Sequence, residues 1–254
     1  MRIAVAGGSG MVGRYVVEAA GAAGHEPVIL SRSSGVDLRS DVGLAAALDG
    51  VEVIIDTTNS GTINGAKATA FFTDVTRRLQ AAGAAVGVAR LVTLSIVGID
   101  RIPGYGYYEA KLAQEEAAFA GPLPATAVRA TQFHEFPAQV LSRSRLGPLA
   151  MMPVMQVQTI AARAVGQVLL DTAVAPPSAK VFEIAGPEPA GLVALARRVL
   201  HQRRRHALVV PLALPGAAAR AMRSGALLPS KDARITGPTF TQWLNTADAQ
   251  RPAF

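Results

Sequence analysis

The sequence predicts an α/β fold, a doubly wound parallel sheet with a small C-terminal lobe, and three observations carry this. Strand-like and helix-like segments alternate through the first half, the pattern of a sheet covered on both faces. The first apolar run ends abruptly in glycines and a helical pattern follows at once. Apolar residues make up 50% of the 254, enough to fill one large core.

Taken in order, residues 3–6 (Ile-Ala-Val-Ala) form the first strand. The turn Val5 to Arg14 reads VAGGSGMVGR, and Val12, Val16, Val17 and Ala20 set a helical period over residues 11–23. The second strand is residues 27–30. Residues 35–38 (Gly-Val-Asp-Leu) are one more candidate strand, so close behind that the usual crossover helix is missing or vestigial. Strands at 52–56, 91–95 and 125–129 alternate with helices at 42–48, 67–82 and 107–119. Beyond residue 129 the pattern loosens. Helices are expected at 161–172, 192–202 and 217–224, with a strand at 180–184 ended by Gly186-Pro187. The chain thus divides into residues 1–150, to which a strand at 180–185 can return, and a mostly helical lobe at 151–254.

Composition narrows the function. Without cysteine there is neither disulfide nor thiolate metal site. The four histidines lack metal-ligand spacing, and His201 and His206 stand the wrong step apart for one helix face, so no metal is expected. No apolar run reaches the roughly 18 residues of a membrane span. The first strand begins too early for a signal peptide, so a soluble cytoplasmic protein is expected, with a homo-oligomer left open. The net charge of +7 is mostly arginine. Its densest cluster, Arg197, Arg198 and Arg203 to Arg205, suits a helix C-terminus. Without interleaved aromatics it points away from nucleic acid.

Strand, glycine turn and helix together make a dinucleotide loop. Gly8, Gly10 and Gly13 satisfy G-x-G-x-x-G, and Gly7, Gly10 and Gly13 are spaced three apart. A pyrophosphate reaches the first helix amides only where no side chain intervenes. Gly7, Ser9, Gly10, Met11, Val12 and Gly13 are the expected contacts. The end of the second strand, Leu30-Ser31-Arg32-Ser33-Ser34, holds no carboxylate for a ribose 2′-hydroxyl. Arg32 offers a fork to a 2′-phosphate and Ser31 and Ser33 offer hydroxyls, which favours NADP(H) over NAD(H). The lesser alternative for Arg32 is a solvated loop residue. Asp37 and Leu38 sit where an adenine pocket would lie, though Asp37 also reads as a turn or cap residue.

Tyr107-Tyr108-Glu109-Ala110-Lys111 contains Y-x-x-x-K. At i and i+4 the Tyr107 phenol and the Lys111 ammonium share a helix face. An adjacent ammonium lowers a phenol pKa toward neutrality, which suits proton transfer to a carbonyl. Ser95 ends an apolar strand, where its hydroxyl emerges at the sheet edge.

On these motifs the chain resembles the short-chain dehydrogenase/reductase superfamily, and more narrowly its extended and atypical NmrA-like branch. The residues are AGGSGMVGR (6–14), LSRSSGVDL (30–38), LSIVGIDRIPGYGYYEAK (94–111), VRATQFHEF (128–136) and FEIAGPEP (182–189). The resemblance implies a Rossmann-like sheet with a substrate lobe, and a catalytic Ser95, Tyr107 and Lys111, with Lys111 also binding the cofactor at its nicotinamide ribose. Thr57, Thr58 and Asn59, and then Ala130, Thr131 and Gln132, would pass the cofactor. Ile96, Val97, Phe133 and His134 would lead toward the substrate, with His134 also readable as a structural lobe residue. Met151, Met152 and Met155 suggest an apolar pocket, or alternatively the lobe core. Three functions follow: an NADP-dependent reductase of a small hydrophobic carbonyl, enone or quinone; a nonenzymatic NADP(H)-sensing regulator; and an assembly subunit carrying a structural nucleotide. The branch includes members that bind NADPH without turnover, so the motifs support binding more firmly than catalysis.

Overall fold

Strand β1 (Arg2–Ala6) is buried from Ile3 onward and runs straight into the glycine turn and helix α1 (Gly13–Ala22). The structure is a computed structural model that describes residues 1–40, 42–177 and 179–251. Asp41, Ser178 and residues 252–254, the last of the expected lobe, lie outside the described residues.

The chain continues through β2 (Glu26–Leu30), a one-turn α2 (Leu44–Ala47), β3 (Val53–Asp56), α3 (Gly65–Ala85), β4 (Arg90–Ile96), α4 (Gly106–Ala120) and β5 (Ala125–Ala130). The vestigial crossover is therefore real. Residues 35–38 form no strand. Instead Arg32–Ser34 make a 3-10 turn in which the Ser31 and Ser34 side chains cap each other's backbone, and this local bonding competes with extension. β2 is left at the sheet edge, where Pro27, with no amide to donate, is tolerated.

Next come α5 (Phe136–Arg143), β6 (Arg145–Leu146), β7 (Leu149–Pro153), β8 (Gln156–Val157), α6 (Ala162–Val174), β9 (Val181–Ala185), β10 (Ala190–Gly191) and α7 (Leu192–Gln202). β11 (Leu208–Leu212), α8 (Ala217–Arg223), β12 (Arg234–Ile235), α9 (Phe240–Leu244) and α10 (Ala247–Gln250) complete the chain. Seven strands form one parallel sheet in the order β12-β9-β5-β4-β3-β1-β2. The chain reverses direction across the sheet between β1 and β3, and crevices at such a point receive ligands. Tyr15, Val16, Val165 and Leu169 of α1 and α6 cover one face. Leu44, Val75, Leu79 and Ala118 of α2, α3 and α4 cover the other.

The lobe is not one continuous stretch from residue 151. α5 already belongs to it, whereas α6, β9 and β12 return to the sheet. Beside its helices it carries strands, for β6, β7 and β11 make a three-stranded sheet and β8 pairs with β10. Pro148, Pro153 and Pro211 deny those stretches helical hydrogen bonding. Met152 and Met155 pack the lobe core with Leu195, Val199, Phe240 and Trp243, while Met151 points to the other face of β7.

Candidate cofactor and proton-transfer site

The glycine turn leaves little freedom. Gly7 adopts φ +74°, and its amide donates to the Leu30 carbonyl at 2.9 Å, joining the ends of β1 and β2. A Cβ at Gly13 would lie 2.2 Å from the Gly7 oxygen, closer than any side chain permits. Among the described residues the Met11, Val12 and Gly13 amides make no intramolecular hydrogen bond, and Val12 caps α1 without a side-chain acceptor. They are the orphan donors of a helix start, beside backbone bare enough for close approach. A dinucleotide pyrophosphate fits here by the chemistry of the donors. Ser9 is exposed and Gly10 partly so.

The ribose end is less complete. Arg32 is exposed on its turn, and Ser33 is exposed beside it. The Ser31 hydroxyl is engaged with Ser33 at 2.9 Å and with Ser34 at 3.1 Å. Asp37 accepts the Arg39 amide at 3.0 Å, the geometry of a turn residue. Leu38 is buried against Leu30, Leu44 and Leu48, so it fills the core under the sheet edge rather than standing free to cover a base.

Past β3, Thr57 donates from amide and hydroxyl to the Ala6 carbonyl, tying β3 to β1 beside the glycine turn. Thr58 donates to Asp56 Oδ1 from its amide at 2.9 Å and its hydroxyl at 2.7 Å. The exposed Asn59 accepts the Tyr107 hydroxyl at 3.0 Å. Tyr107 thus bridges the start of α4 to the loop after β3. Gly65 and Gly106 make this possible, because a Cβ at either would meet the other's Cα within 3 Å.

The expected pairing of Tyr107 with Lys111 is not formed. Lys111 is buried, donates to the Leu94 carbonyl at 2.7 Å and to Gln114 Oε1, and sits over the Phe72 ring. Gln114 in turn donates to Asp56 Oδ2 at 2.9 Å. This Asp56–Gln114–Lys111 chain draws the ammonium inward, toward charge and away from the phenol. Burial brings the ammonium down to about 8. Burial, with Tyr105 alongside, pushes the Tyr107 phenol up to about 12, opposite to the lowering that the spacing predicts. Sequence reasoning passed over Asp56 and Gln114. The signal was a carboxylate closing an otherwise apolar strand.

Ser95 is buried at the end of β4, and its hydroxyl has no partner among the described residues. On neighbouring β5, Ala130 pairs with Ile96. The Thr131 hydroxyl and both polar atoms of the Gln132 amide are likewise unpartnered and buried. Native proteins rarely leave such groups unsatisfied, and these four atoms are closed to solvent, so a ligand would reach them only if this edge opened. Of the residues expected toward the substrate, Ile96 is half-buried against the lobe core. Val97 is fully buried with its amide on the Ala130 carbonyl, so it has no surface for a substrate. Phe133 bridges to Ile160.

His134 is a satisfied core histidine, not a substrate residue. Nδ1 lies 2.7 Å from the Thr159 hydroxyl, Nε2 lies 3.1 Å from the Pro238 carbonyl, and Phe240 and Trp243 flank the ring. The carbonyl needs a donor, so Nε2 carries the hydrogen and Nδ1 accepts. Burial brings this imidazole down to about 4. Its neighbour Glu135 is also buried, with neither carboxylate oxygen bonded to a side chain, and burial pushes it up to about 7.

These two groups give opposite pH dependences. Glu135 binds its proton more tightly folded than unfolded, so its stabilising term is complete below about pH 4.5 and is lost as pH rises through 7. His134 is held neutral, so its term is complete above about pH 6.5 and is lost as pH falls through 4. Glu135→Gln is therefore expected to stabilise the fold by about 1–3 kcal/mol at pH 8 and to change little at pH 4.5. Urea unfolding at the two values checks this, and an equal gain at both would contradict it.

No protein-family model matches the sequence, and no curated protein sequence matches it. The fold has solved counterparts. A short-chain dehydrogenase/reductase superfamily protein from Agrobacterium tumefaciens, solved with bound NAD, superposes with a TM-score of 0.71 at 18% identity, over 98% of this chain and 97% of that one. An NADPH-dependent quinone oxidoreductase from Escherichia coli gives 0.67 at 16% identity, covering 95% and 98%. A UDP-N-acetylglucosamine 4-epimerase from Bacillus cereus gives 0.67 at 18%, covering 90% and 96%. The shared property is the Rossmann-like fold with its appended lobe.

Proposed function

We propose that the chain is an NADP-dependent oxidoreductase of the short-chain dehydrogenase/reductase type, which reduces a small hydrophobic carbonyl, enone or quinone. The observation that carries this reading is the sheet's C-terminal edge. There the bare glycine turn and its free amides lie along the same edge of the parallel sheet as the unpartnered Ser95, Thr131 and Gln132 groups. The Met11, Val12 and Gly13 amides hold a pyrophosphate. Arg32 and Ser33 receive a 2′-phosphate, and Thr57 to Asn59 and Ala130 to Gln132 flank the rest. When bound, the nicotinamide supplies a hydride. Ser95 donates a hydrogen bond that orients the substrate oxygen. Tyr107 leaves Asn59 and gives that oxygen its proton. Lys111 and Gln114 brace the end of β4 on which Ser95 stands. The fold is shared with an NADPH-dependent quinone oxidoreductase, which is consistent with the apolar substrate class.

The test is NADPH titration followed by oxidation of the bound cofactor with a panel of carbonyls, enones and quinones. Binding with turnover supports the proposal, and no binding overturns it. If Arg32 receives the 2′-phosphate, NADPH binds at least ~10-fold more tightly than NADH, about 1.4 kcal/mol. Arg32→Ala then equalises the two in calorimetry, and equal affinities in the wild type would remove Arg32 from the site.

A second reading, the NADP(H) sensor of the NmrA type, draws on a specific observation. The Tyr107 phenol is raised, not lowered, and Lys111 is committed to Gln114 and Leu94. That reading expects tight NADPH binding with no turnover across the whole panel.

A further inference from the structure

The chain's positive charge is not spread over the molecule. Residues 136–157 and 189–231, which build most of the lobe, contain ten Lys and Arg and no Asp or Glu. The rest of the chain keeps 15 basic residues against 18 acidic ones, so the sheet domain is slightly negative and the lobe carries the whole excess.

The three-stranded lobe sheet has two unlike faces. Ala150, Met152 and Val209 point into the lobe core. The register pairs Leu149 with Leu208, Met151 with Val210 and Pro153 with Leu212, and side chains of paired residues emerge on the same face. Every one of these outward residues is apolar, and none is buried. Leu146 lies opposite Leu149 on β6, which brings Leu146, Leu149 and Leu208 side by side at the start of the sheet. Leu146 is 71% exposed and Leu208 is 65% exposed, values of protruding side chains rather than groove walls. The same end carries the charge. Arg204, Arg205 and His206, all exposed, lead directly into β11, whose first amide bonds to the Pro148 carbonyl at the turn.

We infer that this face of the lobe docks the protein on the surface of a bilayer containing anionic lipids. Leucines protruding beside the exposed Arg204 and Arg205 match both parts of such a surface. The apolar side chains enter the acyl boundary and the guanidinium groups meet the lipid phosphates. A second copy of the chain would set these arginines against their own kind. A nucleic acid has no use for protruding leucines and finds no aromatic stacking partner there. Docking is peripheral, since no helix among the described residues is long and apolar enough to cross a membrane. The inference does not depend on the proposed reaction, and its test has no activity readout.

The experiment is co-sedimentation of the full chain with phosphatidylcholine vesicles, alone or with roughly 30% phosphatidylserine. Anionic vesicles are expected to bind at least ~10-fold more protein than neutral ones, and about 0.5 M salt to release most of it. Leu146→Ser with Leu208→Ser, and separately Arg204→Glu with Arg205→Glu, are each expected to lower binding ~10-fold or more at an unchanged melting temperature. These four side chains are exposed, so the variants fold. The salt series on the wild-type chain provides a check that needs no variant. Equal binding to both vesicle types would overturn the inference, as would full binding by the leucine pair. So would a wild-type dimer in sedimentation velocity that the leucine pair dissolves while no protein follows the vesicles. That last result would assign the face to a second copy.

Discussion

Gly13→Ala is expected to weaken NADPH binding by ~100-fold or more, and to lower stability by about 2–4 kcal/mol. The added methyl would sit 2.2 Å from the Gly7 oxygen and 2.7 Å from the Gly8 Cα. Both obstacles are backbone, so no rotamer change relieves the overlap. The turn must open, and the Met11, Val12 and Gly13 amides then lose their common direction toward an anion. Gly10 is the natural control. A Cβ there meets a single atom, the Gly7 oxygen at 3.0 Å. Gly10→Ala should fold like the wild type, whereas Gly10→Val should fold yet obstruct the pyrophosphate. Calorimetry with circular dichroism separates lost binding from lost structure. Undiminished NADPH affinity in a folded Gly13→Ala or Gly10→Val protein would place any dinucleotide elsewhere.

Tyr107→Phe is the second large effect, with turnover falling ~10²-fold or more and NADPH affinity nearly unchanged. The substitution removes one hydroxyl, whose partner in the structure is the exposed Asn59, so the ring packing against Phe72 and Tyr108 survives. A pKa of about 12 keeps the phenol protonated at neutral pH but makes it a reluctant acid, so this role requires bound cofactor and substrate to lower it. Tyr108→Phe should do much less, because Tyr108 turns into the lobe core. If Tyr107→Phe is silent in a protein with real turnover, the proton comes from elsewhere. If the wild type binds NADPH and oxidises it with nothing on the panel, the sensor reading replaces the reductase.

Much of this was legible in the chain itself. Strands and helices recur within a few residues of where alternation and period put them, because burial on a parallel sheet demands apolar runs that survive any detail of packing. The glycine turn was legible for a similar reason. A contact that only hydrogen can fill leaves glycine as the one solution, and its spacing is a record of that constraint. The lack of a strand at 35–38 was not legible, because Ser31 and Ser34 decide it by bonding to one another and to nearby backbone. The lobe's small sheet was not legible either, since β6 has two residues and β7 (LAMMP) and β11 (LVVPL) are apolar at every position, with no alternation to mark a strand.

The site divides along the same line. Sequence alone determined which groups stand at the sheet edge, since Ser95, Tyr107 and the glycines follow from strand ends and helix register. Tertiary structure decided what those groups do to one another. Spacing of i and i+4 places Tyr107 and Lys111 on one face, but a long side chain goes where its charge is best compensated. That place is the buried Gln114, backed by Asp56 from a strand 58 positions before Gln114 in the chain. His134 likewise reads as a substrate-side residue or a structural one until Thr159 and Pro238 arrive to occupy both ring nitrogens. Charge and hydrogen bonding act through space between segments far apart in sequence, so a local pattern names the candidates and only the folded chain pairs them.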